Sequence, residues 1–209
     1  MRNRTNIIFL LDMSGSMHGV REETIDGFNS FIEEQKQADP NGRMTLVLFS
    51  DDLHQEYTGK PIMEVEKLTG KTYYPYGLTA LYDAIGIGVA EFDKYLEAEG
   101  SDSSDKIIVI VLTDGMENSS KKFSKDNVAK LITDKERSGW KFVYLGANID
   151  AYEEAAKAGF NPIYTAPVTY GDIKSGAVYL TMSAIVDAVR KDDDVDSHVA
   201  KIMSNITTN

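Results

Sequence analysis

Short apolar runs alternate along this chain with longer segments in which apolar residues recur every three or four positions. Ile7-Ile8-Phe9-Leu10-Leu11 predicts a buried strand over residues 6–11. From about 20 to 37, Ile25, Phe28, Phe31 and Ile32 recur at helical spacing, and Asp39-Pro40-Asn41-Gly42 then reads as a turn. Met44 to Phe49 predicts a second strand. Asp51-Asp52 turns the chain into a third, around His54 to Tyr57, expected as one antiparallel edge strand near 53–58. Leu81, Ile85, Val89, Phe92 and Leu96 share one face of a helix, and a polar loop from Glu99 to Asp105 follows. Ile107 to Leu112 is nearly continuous in apolar residues, as a central parallel strand covered on both faces requires. A helix over 125–137, a strand from Lys141 to Leu145 and a short helix over 151–158 stopping at Gly159 come next. Pro162 to Tyr164 reads as a last short strand, and Ile173, Ala177, Leu180, Ala184 and Ala188 mark a final long helix. The alternation predicts an α/β fold with a mostly parallel sheet and helices on both faces.

The polar residues at the strand tips carry the chemistry. The first strand ends in Asp12-Met13-Ser14-Gly15-Ser16, which delivers a carboxylate and two hydroxyls two residues apart. Oxygen donors of this kind suit a hard divalent cation. The shell needs oxygens from elsewhere, and the chain offers Thr79 in Tyr76-Gly77-Leu78-Thr79-Ala80 and Asp114 in Leu112-Thr113-Asp114-Gly115. Parallel strands present their C-terminal ends as one rim, so Asp12 and Asp114 are expected on neighbouring strands. Taken alone, Asp12 to Ser16 also fits a strand-to-helix turn in which Asp or Ser caps the next helix.

Together these segments resemble the von Willebrand factor A domain: D-x-S-x-S after a first strand, a Thr in a G-x-T-A loop, and T-D-G after a later strand. The resemblance spans roughly residues 5 to 190. Leu78 departs from it, standing where the family often carries Gly or Asn. It implies a Rossmann-like three-layer sandwich and a metal-ion-dependent adhesion site formed by Asp12, Ser14, Ser16, Thr79 and Asp114. It further implies one domain over 1–209, with a core at about 5–190 and a C-terminal extension at 191–209. Small stand-alone bacterial and phage members of the family are the nearest in kind.

Composition narrows the rest. A length of 209 residues suits one domain with a sizeable core. There is no Cys, which excludes disulfides, thiolate metal sites and a catalytic thiol. The net charge of −11 repels phosphate backbones, so no nucleic-acid partner is expected. No segment approaches a bilayer span and the N-terminus lacks a cleavable leader pattern, so no membrane partner and a cytoplasmic location are expected. Lys121, Lys122 and Lys125 read as a solvated helix start. Glu117 and Asn118 read as exposed loop residues, with a water-mediated role at the ion as the alternative. His18 reads as a surface residue, and three scattered histidines do not suggest zinc. Gly86 and Gly88 lie inside a helix pattern, where close packing on the sheet explains them better than a dinucleotide motif does. Asp192-Asp193-Asp194-Val195-Asp196 lacks the glycine and terminal glutamate of a calcium loop and reads as a solvated acidic run.

The function expected from these residues and the resemblance is metal-dependent protein binding without enzyme activity. Mg²⁺ (or Mn²⁺) would be held with one position open, and a partner's Asp or Glu carboxylate would complete the shell. Relatives inside cells act as adaptors or assembly factors, beside an ATPase or an assembly component. A metal-assisted hydrolase with Asp12 as nucleophile, or a structural subunit of a phage or cellular assembly, is the alternative; Ser14 stands where such hydrolases usually carry a second Asp.

Overall fold

The computed structural model describes residues 4–100, 104–147, 150–191 and 194–206. Its strands are β1 (Thr5–Asp12), β2 (Arg43–Phe49), β3 (Leu53–Pro61), β4 (Lys106–Thr113), β5 (Lys141–Ala147) and β6 (Thr165–Val168). Its α-helices are α1 (Arg21–Ala38), α2 (Leu81–Glu99), α3 (Lys125–Arg137), α4 (Ala151–Ala158), α5 (Tyr170–Lys174), α6 (Ala177–Lys191) and α7 (Val195–Ile206). The strands form one sheet in the order β3-β2-β1-β4-β5-β6. Every neighbouring pair is parallel except β2 with β3. β1, β2 and β4 are apolar without alternation because both of their faces are covered.

The strand residues sort by parity. Ile7, Phe9, Leu11, Ile108 and Ile110 face α1, α5, α6 and α7, whereas Ile8, Leu10, Val109 and Val111 face α2, α3 and α4. The result is a three-layer α/β sandwich. On the first face Phe9 meets Phe28 and Phe31 edge-on, with ring centroids 5.5 and 5.7 Å apart. Gly27 lets α6 approach α1: a Cβ there would stand 2.1 Å from the Tyr179 ring. Tyr179 is buried and donates to the carbonyl of Thr24, so it has no room to retreat. We expect Gly27→Ala to destabilise the protein by about 1–3 kcal/mol, because overpacking outweighs the helix propensity gained. Urea denaturation of both proteins measures this; an unchanged midpoint would mean that the two helices separate without cost.

Both sheet edges are irregular. β3 breaks register twice against β2, between Met44 and Leu46 and between Leu46 and Val47, and it ends in Lys60-Pro61. β6 is four residues long and carries Pro167.

Several expectations need correction. Pro162–Tyr164 is a 3₁₀ turn, with Asn161 Oδ1 accepting from the Ile163 amide, and the strand follows it at Thr165–Val168. The final helix is two: α5 ends at Lys174 and α6 starts at Ala177, separated by Gly176 at φ +77°. The buried stripe of α6 is Val178, Tyr179, Met182, Ile185, Val186 and Val189. Leu180 from the expected stripe is 61% exposed. Gly88 does admit the sheet, since a Cβ there would stand 2.9 Å from Leu10, but Gly86 makes room for the ring of Phe123 instead. Residues 101–103 of the polar loop and Asp192 and Asp193 of the acidic run lie outside the described residues. Asp196 is exposed, as a solvated run requires, but it sits in the first turn of α7 and accepts from Lys141 Nζ at 2.7 Å and from the Tyr164 hydroxyl at 2.5 Å.

Candidate metal centre

β1 and β4 are direct neighbours, so the residues at their C-terminal ends meet. Asp12 closes β1 and is completely buried. Its Oδ1 accepts from the Ser14 amide at 2.6 Å and its Oδ2 from the Thr113 hydroxyl at 2.5 Å. Ser14 leads into a 3₁₀ turn over Gly15–Val20 that brings its Oγ to 3.1 Å from Ser16 Oγ. Ser16 then donates to Asp114 Oδ1 at 2.5 Å. Asp12, Ser14, Ser16 and Asp114 therefore form one linked cluster.

Thr79 arrives on a second loop. That loop is pinned beneath β1 by the buried Tyr73, whose hydroxyl donates to the Asp12 carbonyl at 2.7 Å. It runs beside the first loop, with the Tyr76 amide on the Met13 carbonyl (2.9 Å) and the Gly15 amide on the Gly77 carbonyl (3.1 Å). Thr79 itself is buried and packs on Gly115, where an added Cβ would stand 2.4 Å from Thr79 Oγ1. Thr79 thus joins the cluster through contact with the Asp114 loop. If Thr79 is a ligand, Gly115→Ala should displace its hydroxyl and weaken Mg²⁺ affinity roughly tenfold, in line with the effect of disturbing a ligand's support. Titration calorimetry with Mg²⁺ checks this, and an unchanged affinity would remove Thr79 from the site.

Further residues hold or cover the cluster. Asn118 clasps Thr79 from both sides: its Oδ1 accepts from the Thr79 amide at 2.8 Å, and its own amide donates to the Thr79 carbonyl at 3.0 Å. Glu117 accepts from the amides of Tyr82, Ser119 and Ser120, so it ties the loop to the start of α2. Buried Asp83 does the converse, accepting from the amides of Lys121, Lys122 and Phe123. Tyr170 at the start of α5 donates to Asp114 Oδ2 at 2.5 Å and to the Ser16 carbonyl at 3.3 Å. The sequence gives no spacing cue for Tyr170, which comes 56 positions after Asp114. Asp83 does carry a cue, being an acid in the first turn of an otherwise apolar helix face. His18 is exposed, as expected of a surface residue, and so are the side chains of Lys121, Lys122 and Lys125.

The electrostatics favour a cation. Burial pushes the Asp12 carboxyl up to about 6; hydrogen bonds from Thr113 and Ser14 oppose the shift, and the charge of Asp114 adds to it. Among the described residues, neither carboxylate forms an ion pair with a basic side chain. Nor do three or more His, Cys, Asp or Glu side chains gather to hold a metal. The donors on offer are therefore two carboxylates and three hydroxyls, all oxygen, a set that fits a hard divalent ion.

Residues 6–168 match the family model described as the von Willebrand factor type A domain. The chain is 31% identical over 120 residues to inter-alpha-trypsin inhibitor heavy chain H3 of Bos taurus, an alignment that covers 54% of this chain and 13% of that protein. Among solved structures, it is similar to the vWF domain of the type V pili tip protein Mfa5 from Porphyromonas gingivalis (TM-score 0.65, 9% identity, 91% of this chain and 97% of that one). Proximal thread matrix protein 1 of the mussel byssus, solved with a zinc-occupied MIDAS motif, gives a TM-score of 0.54 at 18% identity, covering 85% of this chain and 45% of that one. Manganese-loaded TRAP protein of Plasmodium vivax gives 0.53 at 18% identity, covering 84% and 72%. The chain spans under half the length of the byssus protein and a small part of the heavy chain.

Proposed function

Because the chain belongs to the von Willebrand factor type A family, we propose that it is a metal-dependent protein-binding module. In this reading Asp12, Ser14, Ser16, Thr79 and Asp114 make an adhesion site for Mg²⁺ or Mn²⁺. The observation that carries it is the meeting of Asp12 and Asp114, buried and unpaired with any basic side chain among the described residues, within one hydroxyl-rich cluster. The zinc- and manganese-bearing relatives support a divalent ion at such a cluster.

The ion would supply a Lewis-acidic site that attracts an Asp or Glu carboxylate of a protein partner. The chain's own residues do the rest. Asp12 is fixed by Ser14 and Thr113, so its charge stays at the floor of the site. Three hydroxyls would offer lone pairs without adding negative charge, so at most two carboxylates face the cation, and one of them reaching it through water would leave it receptive to an external anion. Asn118, Glu117 and Asp83 keep the second and third loops together, so the donors need little rearrangement on loading.

A hydrolase with Asp12 as nucleophile fits less well. That role needs a second acid or base beside the nucleophile, and Ser14, whose amide donates to Asp12 Oδ1, stands where a second Asp would serve. An adaptor or assembly role inside the cell, beside an ATPase or assembly component, is the setting we favour for the binding module. No helix among the described residues is long and apolar enough to cross a membrane.

Affinity capture from the host lysate, in Mg²⁺ and in EDTA, with wild type and Asp12→Asn, tests the proposal. A partner retained only by wild type with Mg²⁺ is expected. Equal capture under all four conditions would sink it and place the interaction surface elsewhere.

A further inference from the structure

The end of the sheet opposite the metal rim carries a different chemistry. The chain enters β1 from Arg4, and β2, β4 and β5 begin with Arg43, Lys106 and Lys141. Two of these cations are accounted for. Arg4 Nε pairs with Asp105 at 2.9 Å, with both side chains buried, and Lys141 pairs with Asp196 at 2.7 Å. Among the described residues the arginines nevertheless keep unused donors: Arg4 Nη2 and Arg43 Nε are buried and have no hydrogen-bond partner there. Both residues line one open cavity of about 450 Å³, together with Asn41 and Glu99.

A buried N–H without an acceptor is costly, and more so on a charged group. Arginine cannot shed its proton to relieve that cost. The chain supplies one nearby acceptor, Asn6 Oδ1, which is also buried and unpartnered. Asn6 is the β1 neighbour of Arg43 in the parallel register, and its Nδ2 already donates to the Lys106 carbonyl at 3.4 Å. In this structure Asn6 Oδ1 meets neither donor, so Arg4 Nη2 and Arg43 Nε both remain in need of an acceptor. Arg4 is 5% exposed, so bulk water does not meet the need as it would for a surface arginine.

We propose that the cavity lined by Arg4 and Arg43 binds a phosphate-type oxyanion, with Arg4 Nη2 and Arg43 Nε as its charge-assisted donors. Two forked guanidinium groups match a tetrahedral anion with several oxygens better than they match a point charge. Both nitrogens are covered now, so binding entails a turn of each guanidinium towards the cavity, and for Arg4 an adjustment of its buried pair with Asp105. Glu99, exposed at the end of α2, lines the same cavity and opposes the anion. The overall charge of −11 does not forbid the site, because salt screens it beyond about 10 Å at 0.1 M.

The test titrates sodium phosphate into EDTA-treated protein at constant ionic strength, with chloride as balance, and reads thermal stability and calorimetric heat. EDTA keeps the metal rim out of the measurement, and Asp12→Asn should respond as wild type does. Saturable stabilisation by phosphate is expected. Arg43→Gln should weaken it at least about tenfold, the usual worth of a hydrogen bond to a charged group. Arg43→Lys keeps the charge and the fold but lacks Nε–H, and should also weaken it. Glu99→Gln should tighten binding roughly two- to threefold, as removal of an exposed opposing charge does. A phosphoserine peptide that binds with the same Arg43 dependence identifies the natural anion as one carried on a protein; phosphate alone binding identifies a free anion. Equal stability in phosphate and chloride would overturn the proposal. So would a phosphate effect that survives Arg43→Lys, or acetate matching phosphate at every concentration.

Discussion

Asp12→Asn should lower the affinity for Mg²⁺ or Mn²⁺ by more than about 100-fold, since losing even an outer partner of a metal ligand typically costs 10–100-fold. The substitution preserves shape. Asn Oδ1 can still accept from the Ser14 amide, and the Thr113 hydroxyl can rotate to accept from the new NH₂. The metal-free variant should therefore be folded, and at pH 7.5 more stable than metal-free wild type. In wild type the Asp12 carboxyl titrates near 6 against an ordinary 3.8, so holding it ionised in the folded state costs up to about 3 kcal/mol. Saturating Mg²⁺ should reverse the ranking, because only wild type gains the binding free energy. Calorimetric titration and urea denaturation, each with and without Mg²⁺, measure both halves. A variant that binds metal within a few-fold of wild type would show that Asp12 is not a ligand.

The second large effect is a dependence on pH with an unusual sign. An acid whose folded-state pKa is raised contributes stability that is fully present below its unfolded pKa and is lost as pH rises through the folded value. For Asp12 the window runs from about 3.8 to about 6. Asp196 behaves oppositely: it is held below the ordinary value, chiefly by Lys141 and then by the Tyr164 hydroxyl, so its contribution is lost on acidification. The difference between wild type and Asp12→Asn isolates the Asp12 part. In EDTA, wild type should lose up to about 3 kcal/mol relative to the variant between pH 4 and pH 7. Metal affinity should move the other way, weakening below pH 6 as protons compete for the carboxylate. A wild-type-minus-variant difference that is flat with pH would mean that Asp12 keeps an ordinary pKa despite its burial.

The meeting of Asp12, Ser14, Ser16 and Asp114 at one rim was legible because its signals are local. An unbroken apolar run demands a doubly covered strand, and a polar residue directly after such a run must lie at the strand tip. Asp12 and Asp114 both follow such runs, and β1 and β4 do pair. Most of the helix–strand alternation could be read for the same reason. The C-terminal third was harder. Ala177, Leu180, Ala184 and Ala188 keep perfect helical spacing, but small residues on a stripe do not say which way it faces. The larger Val178, Met182, Ile185 and Val189 took the core instead. Gly176 could end a helix or merely interrupt its pattern, and only its left-handed φ of +77° separates the two. Tyr170, Asp83, Glu117 and Asn118 act on partners brought near by the tertiary fold, as does the pairing of Asp196 with Lys141.

The irregular sheet edges have a consequence for how this molecule meets others. An exposed flat strand invites another chain to extend the sheet, which is the route to edge-to-edge aggregation and to recognition by strand addition. Two register breaks and Lys60-Pro61 deny that route along β3, and along β6 its brevity and Pro167 do the same. The sheet is closed to growth at both sides. The two proposed sites lie instead at its two ends, where side chains rather than backbone would choose the company.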